Sequence, residues 1–120
     1  DFRFMRSDRG YFCFPEVDLG IPFLPGMNAI VQSAIPKHLL DEMQLTGKRV
    51  TGQELEADHV ITRACPLEDL MPTARAFAQP LEKGRAIVGE LKDRATKEIV
   101  HAIDVLDRPY IDSGKFQYPD

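Results

Sequence analysis

Phe12-Cys13-Phe14-Pro15-Glu16-Val17-Asp18-Leu19-Gly20-Ile21-Pro22-Phe23-Leu24-Pro25-Gly26 is the stretch on which the fold of this chain is decided. Two prolines and a glycine between positions 15 and 22 exclude a continuous helix and a central strand, since proline lacks the donor both need. One acidic side chain, Glu16, sits between Phe12, Cys13, Phe14 and Pro15 on one side and Val17, Leu19, Ile21 and Phe23 on the other. Burial in that company would strip its carboxylate of water and strengthen it as a proton acceptor. The competing reading is a glutamate after proline in an exposed turn. Asp18, two residues on, could pair with Glu16 as a double-carboxylate site, but is read as structural. Pro25-Gly26 opens a helix over about 27–34, whose first N–H groups could face an anion or a developing oxyanion; most such helix starts bind nothing.

Upstream, residues 2–6 alternate apolar and polar as a half-buried strand does, Ser7 to Gly10 form a turn, and Tyr11 to Phe14 make a second short apolar run stopped by Pro15. Downstream, Pro36 suits the first turn of a helix with Leu39, Leu40 and Met43 on one face and Gly47 at its end. Thr51-Gly52-Gln53-Glu54 has capping-box spacing and predicts a short helix to about Asp58. Val60 to Ala64 reads as a strand. Leu67, Leu70, Met71, Ala74 and Phe77 keep helical spacing over 66–80, and Ile87, Leu91, Ala95, Ile99, Ile103 and Leu106 form a stripe on a last long helix. The tail from Pro109 to Asp120 has no periodicity and reads as a loose end.

The 120 residues carry a formal charge of -4, which gives no electrostatic reason to seek nucleic acid or an anionic membrane. No apolar run is long enough to span a bilayer and no signal peptide opens the chain, so the expected place is the cytoplasm. Cys13 and Cys65 are too few for a disulfide framework, and neither has a partner at zinc spacing; no metal is expected. His38 and His101 read as solvated, and His59 ends a helix where Gly or Asn is easier. Lys92, Arg94 and Lys97 cluster on the last helix, where Lys92 is the candidate contact for a phosphate-bearing ligand; interleaved Glu90 and Asp93 favour a solvated face. Two or three short strands cannot cover so many helical apolar faces, so part of a core is expected elsewhere. A chain that opens on Asp1 and runs at once into strand sequence is expected to start inside a longer polypeptide.

From Asp8 to Phe23 the chain resembles the enoyl-CoA hydratase/isomerase, or crotonase, family. The resemblance rests on the apolar run Phe12 to Phe14, then Pro15-Glu16, Val17 to Gly20, and Pro25-Gly26. Leu45-Thr46-Gly47-Lys48-Arg49-Val50-Thr51 and the segment Glu54 to Ala64 continue it in order, and the likeness covers about residues 1–106. The run Arg6 to Gly10 is most similar to the enoyl-CoA delta-isomerase-like branch. His59 stands where the family usually has Gly, and Met27-Asn28-Ala29 replaces a common Gly-Gly.

The resemblance implies an α/β fold, a spiral of ββα units, of which residues 1–66 form the second part of the core and 67–120 a helical oligomerisation region and tail. It implies an enzyme of fatty acid metabolism acting on an acyl-CoA, with coenzyme A as part of the substrate and no further cofactor. Glu16 is then the catalytic carboxylate, and Phe14, Leu19, Ile21 and Phe23 line the acyl pocket. The favoured reaction moves a double bond from the 3- to the 2-position. Hydration is the alternative, and a non-catalytic oligomerisation or scaffold piece is the third reading. The two N–H groups that hold the thioester oxygen in this family lie upstream of the segments seen here. The N-terminal half of the same enzyme is therefore an expected partner, along with further copies in a trimer or hexamer.

Overall fold

A computed structural model describes residues 1–114 as two compact units that alternate along the chain, one from residues 1–14 and 35–82, the other from 15–34 and the chain beyond Lys83. In the first unit, strands β1 (Phe4–Arg6) and β2 (Arg63–Cys65) pair in parallel with Met5 opposite Ala64. The ladder extends at both ends: the Thr62 N–H donates to the Arg3 carbonyl (2.7 Å) and the Ser7 N–H to the Cys65 carbonyl (2.8 Å). The strand expected from Val60 starts only at Arg63. The Val60 and Ile61 N–H groups are taken up by the Leu55 carbonyl, closing the preceding helix (2.8 and 3.2 Å). The second apolar run, Tyr11 to Phe14, shrinks to one antiparallel bridge between Phe12 and Val50.

Helices of this unit follow their local signals. Pro36 leads into α3 (Lys37–Thr46), which buries Leu39, Leu40 and Met43, and the Gly47 N–H closes it on the Met43 carbonyl. Thr51 caps α4 (Gly52–Ala57) in a full capping box with Glu54. Only glycine fits at position 52, because an added Cβ would lie 2.9 Å from the Arg6 carbonyl oxygen. Met43 and Val50 are the largest fully buried side chains. Helix α5 (Leu67–Ala78) sets Phe77 against the rings of Phe2 and Phe4, at 4.6 and 5.6 Å. Leu67 and Met71, on its apolar stripe, are exposed.

The second unit is helical in every regular element among its described residues. It holds a one-turn α1 (Glu16–Leu19), α2 (Pro25–Ala34), α6 (Arg85–His101), a π-helical turn (Ala102–Leu106) and α7 (Arg108–Ser113). Helix α2 packs against both α6 and the π turn. The stripe on the last long helix is present but uncovered: Ile87, Leu91, Ile103 and Leu106 are exposed, and Ile99 is half-buried. Periodicity marks a face; it does not say what covers it. The tail departs from the reading as a loose end, since Pro109 falls in the first turn of α7 where its missing donor is not needed. The rest of that tail, 115–120, lies outside the described residues. No helix among the described residues is long and apolar enough to cross a membrane.

Candidate active site

Glu16 is the first residue of α1, directly after Pro15, whose backbone (φ -79°, ψ 2°) turns the chain into the helix. Gly20 ends that single turn in the left-handed region (φ 66°), a conformation that costs an L side chain energy. Its N–H and that of Ile21 both close on the Glu16 carbonyl, the latter at 3.1 Å. Asp18, two residues on in this helical turn, is rotated about 200° from Glu16 around the helix axis, so the turn sends the two carboxylates to different sides.

The Glu16 side chain is the unusual one. Its Oε2 is fully buried and has no hydrogen-bond partner among the described residues. A buried carboxylate oxygen without a donor costs on the order of 1–3 kcal/mol, more if charged, and is rare in stable proteins. Such an oxygen is suited to accepting a proton from carbon. A C–H bond is a poor hydrogen-bond donor, so a base that removes a carbon-bound proton must keep a lone pair free of better donors and of water.

The other residues singled out from sequence fall into two groups. Leu19, Ile21 and Phe23 belong to the same unit as Glu16. Leu19 is 58% exposed, while Ile21 and Phe23 are half-buried. Phe14 is in the first unit, 4% exposed, with its ring edge-on to Phe12 at 5.1 Å. Lys92 is exposed on α6, close in sequence to an ion pair between Arg94 and Glu90 (2.7 Å). His101 is exposed, and His38 stands 3.7 Å from Asp58 at the surface. His59 adopts φ 57°, the left-handed conformation its position demands. Cys13 and Cys65 are free thiols. No group of three or more His, Cys, Asp or Glu side chains among the described residues is arranged to hold a metal.

One residue that sequence reasoning missed is Asp107, buried at 7% exposure, whose Oδ1 accepts the Gly26 N–H at 2.7 Å. Its carboxylate lies at the start of α2, where the first N–H groups have no acceptor within the helix itself. No short-range pattern links positions 26 and 107.

The enoyl-CoA hydratase/isomerase family model matches residues 1–106. The carnitinyl-CoA dehydratase of Proteus mirabilis is 31% identical over 98 residues, covering 78% of this chain and 37% of that protein. Its counterpart in Salmonella paratyphi B is 30% identical over the same shares. An enoyl-CoA hydratase structure from Mycobacterium paratuberculosis superimposes with a TM-score of 0.68 at 18% identity, over 92% of this chain and 53% of that one. The chain thus spans less than two fifths of the length of the dehydratases it matches.

Proposed function

The chain belongs to the enoyl-CoA hydratase/isomerase family and shares its α/β crotonase fold, and from that premise we propose that Glu16 is the base of a reaction at the α-carbon of an acyl-CoA thioester. The observation that carries this reading is the buried, unpartnered Oε2 of Glu16 in a segment with apolar neighbours. In the finer form, Glu16 takes the C2 proton of a 3-enoyl-CoA, and the electron pair delocalises into the thioester as a dienolate. The protonated Glu16 then returns the proton to C4, leaving a 2-enoyl-CoA. One carboxylate suffices for this shuttle. The enolate oxygen needs two N–H donors, which the family supplies from segments that precede the part seen here. The N-terminal half of the enzyme is accordingly a partner in this proposal. The exposed stripe of α6 is the proposed contact with further copies in a trimer or hexamer, and the free thiols fit a cytoplasmic setting.

A second reading is hydration or dehydration, favoured by the dehydratase names of the two relatives above. That chemistry needs a positioned water and commonly a second carboxylate. The two readings separate in one experiment on the complete enzyme. Glu16→Gln should lower kcat by about 10²–10⁴-fold, the usual worth of a positioned general base, with KM changed much less. Assays with 3-enoyl-CoA and 2-enoyl-CoA substrates then say which conversion the enzyme performs. Full activity in the Gln variant would remove Glu16 from the mechanism and leave the scaffold reading.

A further inference from the structure

Asp107 and Glu16 are carboxylates of the same unit with opposite treatment. The first is buried and engaged; the second has one buried oxygen with no partner among the described residues. Between Glu16 and Gly26 the chain has little slack. One helical turn closes on the Glu16 carbonyl, Gly20 reverses the direction, and Pro22 and Pro25 restrict the backbone on its way into α2. Whatever fixes Gly26 therefore fixes the downstream end of the segment that carries Glu16.

The fixing contact comes from far along the chain. The Gly26 N–H is one of the donors that a helix start leaves unsatisfied, and the Asp107 Oδ1 accepts it at 2.7 Å within a buried site. The approach is so close that an added Cβ at position 26 would lie 2.6 Å from the Asp107 Oδ2 and from the Ile103 Cγ1, and 3.1 Å from the Ile103 Cα. Gly26 is thus required by a neighbour 81 residues away. The π turn aims the carboxylate. The Asp107 N–H donates to the Ala102 carbonyl at 3.0 Å, five residues back, so the turn holds one more residue than an α-turn. One extra residue rotates the downstream chain by about 100° relative to an uninterrupted helix.

We propose that Asp107 is a positioning residue: by docking on the Gly26 N–H from the π turn, it holds the Glu16 segment in its reactive placement. The proposal rests on the assignment of Glu16 as the base. It makes the reaction depend on the C-terminal helices, far in sequence from the acid–base group.

The test compares Asp107→Ala, Asp107→Asn and Glu16→Gln in the complete enzyme, by steady-state kinetics and amide hydrogen exchange. In Asp107→Ala, kcat per folded molecule should fall by about 10–100-fold with KM within about twofold, because misplacement of a reacting group acts on the chemical step. Amides of residues 20–28 should exchange faster while those around Met43 and Val50 keep their protection. Asp107→Asn retains the acceptor oxygen and should restore both the rate and the protection. Unchanged exchange at 20–28 in Asp107→Ala, or an unchanged kcat beside an inactive Glu16→Gln, overturns the proposal. Loss of protection throughout the molecule overturns it too, since that marks a general stability role. If Glu16→Gln stays active, the base assignment has failed instead, and exchange alone then decides whether Asp107 anchors the segment.

Discussion

The unit built on the parallel strand pair and the unit that carries Glu16 handle their side chains in opposite ways. In the first, α3 buries Leu39, Leu40 and Met43, Val50 and Leu55 are buried too, and Thr51 and Glu54 satisfy a helix start reciprocally. In the second, α6 leaves Ile87 and Leu91 about 60% exposed, and one buried carboxylate oxygen has no donor among the described residues. The first unit has the features of a stable scaffold. The second carries costs that the proposed chemistry and association would account for, since apolar surface left open invites a partner and an unpaired polar atom persists only where surrounding structure enforces it.

That contrast is sharpest under substitution. Met43→Ala removes a fully buried side chain and should cost about 2–5 kcal/mol in unfolding free energy, read by denaturant titration. A loss below about 1 kcal/mol would show that the core around α3 relaxes and is not the rigid half. Glu16→Gln should do the reverse. The amide keeps the size and shape of the carboxylate, so stability should hold within about 1 kcal/mol while activity collapses. A variant that loses stability and activity together would mean that Glu16 makes a structural contact.

The first unit is also the more legible from sequence. Pro36, Gly47 and the Thr51–Glu54 pair act within one helical turn, and each marks an element end that the structure keeps within a residue or two. The β1–β2 pairing joins positions about sixty residues apart, and nothing local specifies its register. In the second unit, Glu16 stands out through its apolar neighbours, yet its single helical turn is hidden by flanking prolines that argue against any long helix. The Asp107–Gly26 contact leaves no trace at all, because both its span and the π turn that aims it lie outside the 3.6-residue period used to read helices. The family resemblance supplies what periodicity cannot, the order of segments, and with it the role proposed for Glu16.

A smaller effect probes the scaffold side. The Glu54 carboxyl is held below the usual carboxylate range, first by the Thr51 backbone N–H and then by its hydroxyl, both at 2.8 Å from Oε2. A carboxyl depressed in the folded state contributes stability above its unfolded value and loses it as pH falls through the folded one. Thr51→Ala removes the hydroxyl and should cost about 1 kcal/mol at neutral pH. The gap to the parent protein should narrow in acid, below the ordinary carboxylate range, as the Glu54 carboxyl takes up its proton. A gap independent of pH would assign the whole cost to the helix cap and none to the carboxylate.

The smallest effect concerns the one place where the scaffold holds strain. His59 adopts φ 57° just after α4, and glycine is the residue that takes this conformation without a Cβ clash. The closing bonds of α4 explain why the conformation is kept. The His59 N–H reaches the Glu56 carbonyl at 3.0 Å and the Val60 N–H reaches Leu55 at 2.8 Å, so relaxing the backbone would break the hydrogen bonds that end the helix and start the path to β2. His59→Gly should therefore stabilise the protein by roughly 0.5–1 kcal/mol, the relief of left-handed strain less the added freedom of the unfolded chain. Thermal unfolding measures it directly. A destabilised glycine variant would mean that the imidazole makes a contact worth more than the strain, and the scaffold half would then have a side-chain role at this position.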